Sequence, residues 1–320
     1  MERIVESGVA DAAYICDSSA ECVEEASKVV SGARIASTYD ELLDAEIDGV
    51  VIATPSALHA EQSIRALERG LAVFCQKPLG RTEAEVKSIV RAAENADRLL
   101  GVDLSYRFTE GMQQIREVVS GGGIGHIFAC DLVFHNAYGP DKAWFYDPKL
   151  SGGGCVMDLG VHLVDLALWT LGSPKVEQVT SRLFAAGKML SSPEQVEDYA
   201  TATFDLSCNT VVNLACSWKI QAGCDTVISA SFYGTEGGLN FRNVNGSFYD
   251  FVAEEFHGTS RKILATPPDA WGGRAAVTWA RQLGRNKAFD PEIARVIQVA
   301  KVLDAIYSNA SRGASIPEAA

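Results

Sequence analysis

Three ionisable side chains stand at intervals suited to moving a proton. Asp158, His162 and Asp165 follow a run of three glycines in GGGCVMDLGVHLVD (152–165) at i, i+4 and i+7, so a helix places all three on one face. Far upstream, Lys77 lies in the turn CQKPLG (75–80), directly after an apolar stretch. Removing a hydride from a secondary alcohol also requires taking the hydroxyl proton, so such a site needs a positioned base and a donor to the developing alkoxide. Histidine and lysine suit those tasks. Equally, Asp158 near a helix N-terminus and a satisfied, buried His162 belong in a helix that only packs. The two readings part on whether the chain brings Lys77 to the Asp/His face.

The elements that must do so alternate. A short helical fragment ends at Gly8, and AAYIC (12–16) reads as a strand stopping at Asp17, followed by helical spacing over 21–30. DGVVIATP (48–55) is an apolar strand closed by Pro55, and an amphipathic helix over 57–68 ends at Gly70. LAVFC (71–75), a helix over 82–95 with Thr82 as its cap and Glu85 three residues on, and a strand over 98–103 repeat the unit. Continuous apolar strands between helices predict a doubly wound parallel α/β sheet covered on both faces, whose ligand lies outside the carboxyl ends of the strands. Asp17, Thr54, Pro55, His59, Gln76, Lys77 and Pro78 gather there and are the cofactor candidates. An acidic residue at the end of the second such strand hydrogen-bonds a ribose 2′-hydroxyl and repels a 2′-phosphate, though an Asp after a strand also serves as a turn or helix cap.

Together, ATPSALH (53–59), CQKPLG and GGGCVMDLGVHLVD resemble, in this order, the nucleotide-strand, Glu-Lys-Pro and Asp/His motifs of the Gfo/Idh/MocA family. The resemblance runs along nearly the whole chain. It implies an NAD-dependent Rossmann-fold dehydrogenase of a sugar, inositol or related polyol, NADP being the less favoured cofactor. It further implies that Lys77 hydrogen-bonds the reacting hydroxyl and the cofactor ribose, that Asp158 and His162 flank the substrate with Asp165 behind them, and that the Lys77–Pro78 bond is cis. The chain departs from the pattern twice. Gln76 stands where the family has Glu, which removes a negative charge near Lys77 and weakens the preference for its charged form. No GxGxxG loop precedes Asp17, and MERIVESG reads as the tail of a first helix, so about 15–20 residues holding a central strand and its phosphate loop are expected upstream. A non-catalytic nucleotide- or sugar-sensing protein of the same fold is the alternative reading.

The 320 residues divide on this reading into a dinucleotide-binding part, 1–104, and an α+β part, 105–320, with an open, mostly antiparallel sheet. After a helix over 110–119, SGGGIGHI follows a helix and opens a strand (126–135), the reverse of a phosphate loop, and is read as a turn. Strand patterns cover 200–206, 210–218, 226–233 and 238–241, and a long helix covers 291–309. Tyr106, Arg107, Lys142, Trp144, Tyr146 and Trp218 are candidates to line a polyol site. The family uses the open sheet face for homo-oligomers, which makes Phe204, Trp218 and Phe232 interface candidates. The formal net charge of −13, from 28 basic and 41 acidic residues, argues against a nucleic-acid partner. No stretch approaches the length of a membrane span and no secretion signal is read at the start. Eight scattered cysteines without CxxC or zinc spacing predict buried thiols in a reducing cytoplasm, and no metal.

Overall fold

Short apolar stretches bounded by Asp, Pro and Gly are too short for helices and pair instead as parallel strands. The computed structural model describes residues 1–192 and 194–310. Its strands β3 (Gly49–Ile52), β4 (Ala72–Cys75) and β5 (Leu100–Val102) form one parallel sheet in the order β3-β4-β5, with β4 buried throughout. Strands β1 (Tyr14–Ile15) and β2 (Arg34–Ile35) pair with each other alone, so the parallel strands make two separate sheets and β1 is not hydrogen-bonded to β3. The strand read at 12–16 is thus only two residues long. The helices of this part are α1 (Glu2–Glu6), α2 (Ala20–Val29), α3 (Tyr39–Leu43), α4 (Ser56–Glu68) and α5 (Glu83–Ala96). Thr82 caps α5 through Oγ1, while the Glu85 carboxylate turns back to the Arg81 amide.

The second part opens with α6 (Glu110–Ser120) and β6 (Ile127–Asn136), then α7 (Pro148–Ser151) and α8 (Val161–Thr170). Strands β7 (Val176–Ala185), β8 (Lys188–Met189), β9 (Tyr199–Leu206), β10 (Thr210–Ser217), β11 (Thr226–Gly234), β12 (Gly238–Asn243), β13 (Phe251–His257) and β14 (Ser260–Ala265) follow. Helices α9 (Arg274–Arg285) and α10 (Val296–Asn309) close the described chain. The nine strands β6 to β14 form one sheet in the order β14-β13-β12-β11-β6-β10-β9-β7-β8, antiparallel except where β6 lies parallel to β10. Alternation along each strand sends Leu132, Phe134, Phe204, Leu214 and Phe232 to one face, where α6, α8 and α10 pack. Phe204, Phe232 and Trp218 are all at most 2% exposed, so these three belong to the interior of one chain and not to a subunit interface.

Helix α9 was not anticipated, although Ala275, Trp279, Ala280 and Leu283 have helical spacing. It covers the small parallel sheet on the face opposite α4 and α5, with Trp279 5.7 Å from the Phe74 ring. A side chain at Gly101 would come within 2.8 Å of Trp279 and 2.9 Å of Phe74, so the glycine is what lets helix and sheet close up. All eight cysteines are free thiols; Cys75, Cys130, Cys155 and Cys216 are buried, whereas Cys22 is exposed.

Candidate active site

Lys77 follows β4 directly, and the Lys77–Pro78 bond is cis. The turn is braced by His59, whose Nδ1 lies 2.7 Å from the Pro78 carbonyl and whose Nε2 lies 2.8 Å from the Thr54 carbonyl. At 1% exposure His59 has no ring atom to offer a cofactor, which corrects its place among the cofactor candidates. It ties the loop after β3 to the loop after β4. Burial lowers its pKa, against the pull of the two carbonyls.

Lys77 Nζ reaches the Asp/His segment and donates to Asp158 Oδ1 at 2.5 Å and to the Asp158 carbonyl at 2.8 Å. The other carboxylate oxygen accepts from the Trp218 indole N–H at 3.0 Å. Asp158 is therefore held at both oxygens, and its helix differs from the even α-helix expected. Residues Val156–Gly160 make a π-helical turn before α8, a form that concentrates at functional sites. The start of that turn is fixed by Glu197, 1% exposed, whose carboxylate accepts from Gly154 N at 3.0 Å, Val156 N at 2.9 Å and Tyr307 Oη at 2.8 Å. A Cβ at Gly154 would fall 1.9 Å from the Glu197 carbonyl oxygen, so the glycine run exists to admit this segment. Burial raises the Glu197 pKa against those hydrogen bonds. Glu197→Gln puts an amide N–H against one of the buried donors. It is expected to cost about 1–3 kcal/mol in denaturant unfolding, the price of one unmade buried bond. An unchanged midpoint would show the carboxylate to be dispensable.

His162 lies one turn beyond Asp158 with its ring edge-on to Tyr106 at 5.0 Å. Neither imidazole nitrogen has a hydrogen-bond partner among the described residues, and neither is sealed from solvent. Burial, then the nearby Lys77 charge, pushes its pKa well below the usual value, so the ring is neutral at pH 7 and free to accept a proton. Tyr106 is walled by Phe134, Phe251 and Trp271 as well. Asp165, 2% exposed, takes a two-pronged bond from Arg107, with Nε to Oδ2 at 2.7 Å and the second guanidinium nitrogen on Oδ1. Arg107 thus locks the loop after β5 to α8 and is spent on that bond instead of reading a substrate.

The remaining candidates divide. Trp144 stacks on Phe145, and both Phe145 and Tyr146 stand edge-on to Trp218, so this loop walls the Asp158 side of the site. Lys142 is turned to solvent, where it pairs with neighbouring Asp141 at 3.5 Å. Asp17 is exposed, with Oδ1 accepting from Ser19 N at 2.8 Å in the turn before α2, whose cap is Ser19, and its other oxygen without a partner among the described residues. Thr54 donates to Gln62. Gln76 Nε2 donates to Asp103 Oδ2 at 2.9 Å. Gln76 is thereby turned to Asp103, which carries a carboxylate on the neighbouring strand. A groove of about 480 Å³ bounded by Phe184, Asp198, Tyr199, Ser217 and Lys219 shares only Trp218 with the constellation and lies apart from Lys77. Trp218, a candidate from the sequence, does line the site through Asp158, whereas Glu197 and Asp103 are the site residues that sequence patterns did not assign.

A parallel sheet whose carboxyl edge delivers a lysine to an Asp/His helix on a second sheet defines a class of two-part dinucleotide-dependent oxidoreductases. The chain belongs to the Gfo/Idh/MocA family. Residues 2–104 match the model of that oxidoreductase family's NAD-binding Rossmann fold, and residues 112–240 match the model of its C-terminal domain. D-glucoside 3-dehydrogenase of Escherichia coli is 27% identical over 270 residues, covering 78% of this chain and 76% of that protein. An inositol 2-dehydrogenase of Rhodococcus erythropolis is 24% identical over 304 residues, covering 92% and 77%. Levoglucosan dehydrogenase in complex with NADH and levoglucosan superposes with a TM-score of 0.79 over 94% of this chain and 88% of that one, and at 22% identity it shows the fold alone.

Proposed function

We propose that this protein is an NAD-dependent oxidoreductase acting on a secondary hydroxyl of a sugar, inositol or related polyol. The observation that carries the reading is a neutral His162 with both nitrogens free, on the helix whose preceding turn presents Asp158 to Lys77. The residues present fit the nucleoside portions of the cofactor: Asp17 keeps one oxygen for a ribose, and Asp103 Oδ1 is an acceptor with no donor among the described residues. Asp17, Thr54, Pro55, Gln76, Lys77 and Pro78 would hold it. When bound, NAD supplies the acceptor for the hydride. His162 takes the hydroxyl proton at an imidazole nitrogen. Lys77 donates to the same oxygen and offsets its developing charge, and Asp158, fixed by Trp218, sets the direction in which the ammonium points. Tyr106 and Trp144 form aromatic walls suited to a polyol ring and keep water from the reacting carbon. The names of the relatives support a cyclic polyol or glycoside. We further place the protein in the cytoplasm, which its eight free thiols favour, and as a homo-oligomer joined through the polar face of the nine-stranded sheet, where Asn213, Asp131 and Thr203 lie.

The test is reduction of NAD, with NADP as control, by a panel of myo-inositol, levoglucosan and methyl glucosides. Turnover with at least one of these is expected, and His162→Gln should lower kcat by about 10²–10⁴-fold. Because the His162 pKa lies below 6.5, the wild-type rate should fall only on the acid side of that value. The limb should vanish in the variant. A wild type inert with the whole panel, or a variant as fast as wild type, would refute the reading.

A further inference from the structure

Gln76 and Asp103 stand side by side at the carboxyl ends of adjacent strands β4 and β5, where Cys75 is in register with Val102. Two carboxylates at this separation would have to share a proton. With Gln76 donating from Nε2 to Asp103 Oδ2, position 103 keeps the single carboxylate and position 76 supplies a donor that steers it. The other oxygen, Oδ1, is closed to solvent and has no partner among the described residues, although the residue as a whole is only half-buried. Lys77 acts on it through space without coming within hydrogen-bond distance. A buried carboxylate oxygen with nothing to accept from is costly, and natural proteins keep few of them. This one lies where doubly wound sheets bind their ligands, beside the lysine that delivers the cleft's positive charge.

We propose that Asp103 is the hydroxyl acceptor of this cleft, with Oδ1 taking a hydrogen bond from a hydroxyl of the vicinal-diol ligand held against Lys77. The carboxylate that a Glu-Lys-Pro sequence carries at position 76 has moved in this chain to the neighbouring strand. The inference rests on the dehydrogenase reading and deepens it. Two sources share the chemistry, the ribose of the nicotinamide nucleotide and the polyol substrate, and they are separable.

The experiment compares wild type with Asp103→Asn, which keeps an oxygen for Gln76 and turns the free acceptor into a donor. Without ligand, the variant is expected to melt about 2–4 °C higher, because an unpaired buried charge has gone. NADH is then titrated by fluorescence, and KM is measured for the best polyol of the panel. NADH binding weakened about 10–100-fold with KM unchanged assigns the hydroxyl to the ribose. A KM raised by that factor with NADH binding unchanged assigns it to the substrate. If neither constant moves, whichever way the melting temperature shifts, no ligand hydroxyl sits on Asp103 and the proposal is overturned. A wild type that neither binds NADH nor oxidises any polyol refutes the parent reading instead. In that case the melting comparison decides for Asp103 alone: a rise upholds the unpaired acceptor, a fall overturns it.

Discussion

Lys77→Met is expected to lower kcat by about 10³-fold, within the range that a positioned proton-handling group supplies. The ammonium sits 2.5 Å from Asp158 Oδ1 and 2.8 Å from its carbonyl, so it neutralises the carboxylate and, on the proposed reading, also faces the reacting hydroxyl. Without it, Asp158 keeps only the Trp218 indole as partner, and its charge repels the alkoxide that the reaction must form. Methionine fills the space of the alkyl chain, and Lys77 is 19% exposed beside a 14% exposed Asp158, so the fold should survive. Asp158→Asn should cost less than Lys77→Met, and the double variant should be little worse than Lys77→Met alone, because residues acting as one unit do not add. Saturating kinetics on the three variants, with NADH titrated so that any loss of cofactor binding is separated from the loss of kcat, decide the matter. A Lys77→Met enzyme within tenfold of wild type would remove lysine from the chemistry.

The three groups of that constellation were legible because each sits in a local pattern: a lysine in a turn after an apolar strand, and an aspartate and histidine four apart after a glycine run. The parallel strands were legible for the same reason, since β3 and β4 are continuous apolar runs closed by turn residues. What escaped lies between residues far apart in the chain. Trp218 is a site candidate from the sequence, but its N–H partner escapes, being 60 residues away on a π-helical turn, a local form that spacing does not announce. Glu197 sits in SSPEQVED, which has the composition of a solvated loop. Only the close approach of Gly154 and Val156, about 40 residues upstream, buries it. Arg107 is a substrate candidate by its polar side chain and its place after the last parallel strand, and its bond to Asp165, 58 residues on, shows why that is insufficient evidence. Strand β7 escaped because Glu177 and Arg182 interrupt its apolar positions from the solvent face, leaving Leu183 as its one buried apolar side chain.

That Arg107–Asp165 bond should be the largest single stabilising contact at the seam between the parallel sheet and α8. Arg107→Leu is expected to cost about 3–5 kcal/mol at neutral pH, because it strands a carboxylate that is 2% exposed. The pH dependence separates this from loss of packing. Burial already raises the Asp165 pKa, and Arg107 is what opposes the rise. Removing Arg107 lets the folded-state pKa climb further above its unfolded value. For an acid shifted upward, the folded form binds the extra proton, so stability is highest below the unfolded pKa and is lost as pH rises through the folded one. The deficit of Arg107→Leu should therefore be full above the variant's folded-state pKa and shrink as pH falls from there to the wild type's folded-state pKa, the unfolded value being common to both chains and cancelling. Asp165→Asn in the same background removes the charge and should recover most of the neutral-pH deficit. Urea unfolding of the single and double variants across that range measures both effects. A deficit that stays constant with pH, or a double variant no better than Arg107→Leu, would mean that the arginine serves by filling space against Trp169, over whose ring it lies at 5.8 Å.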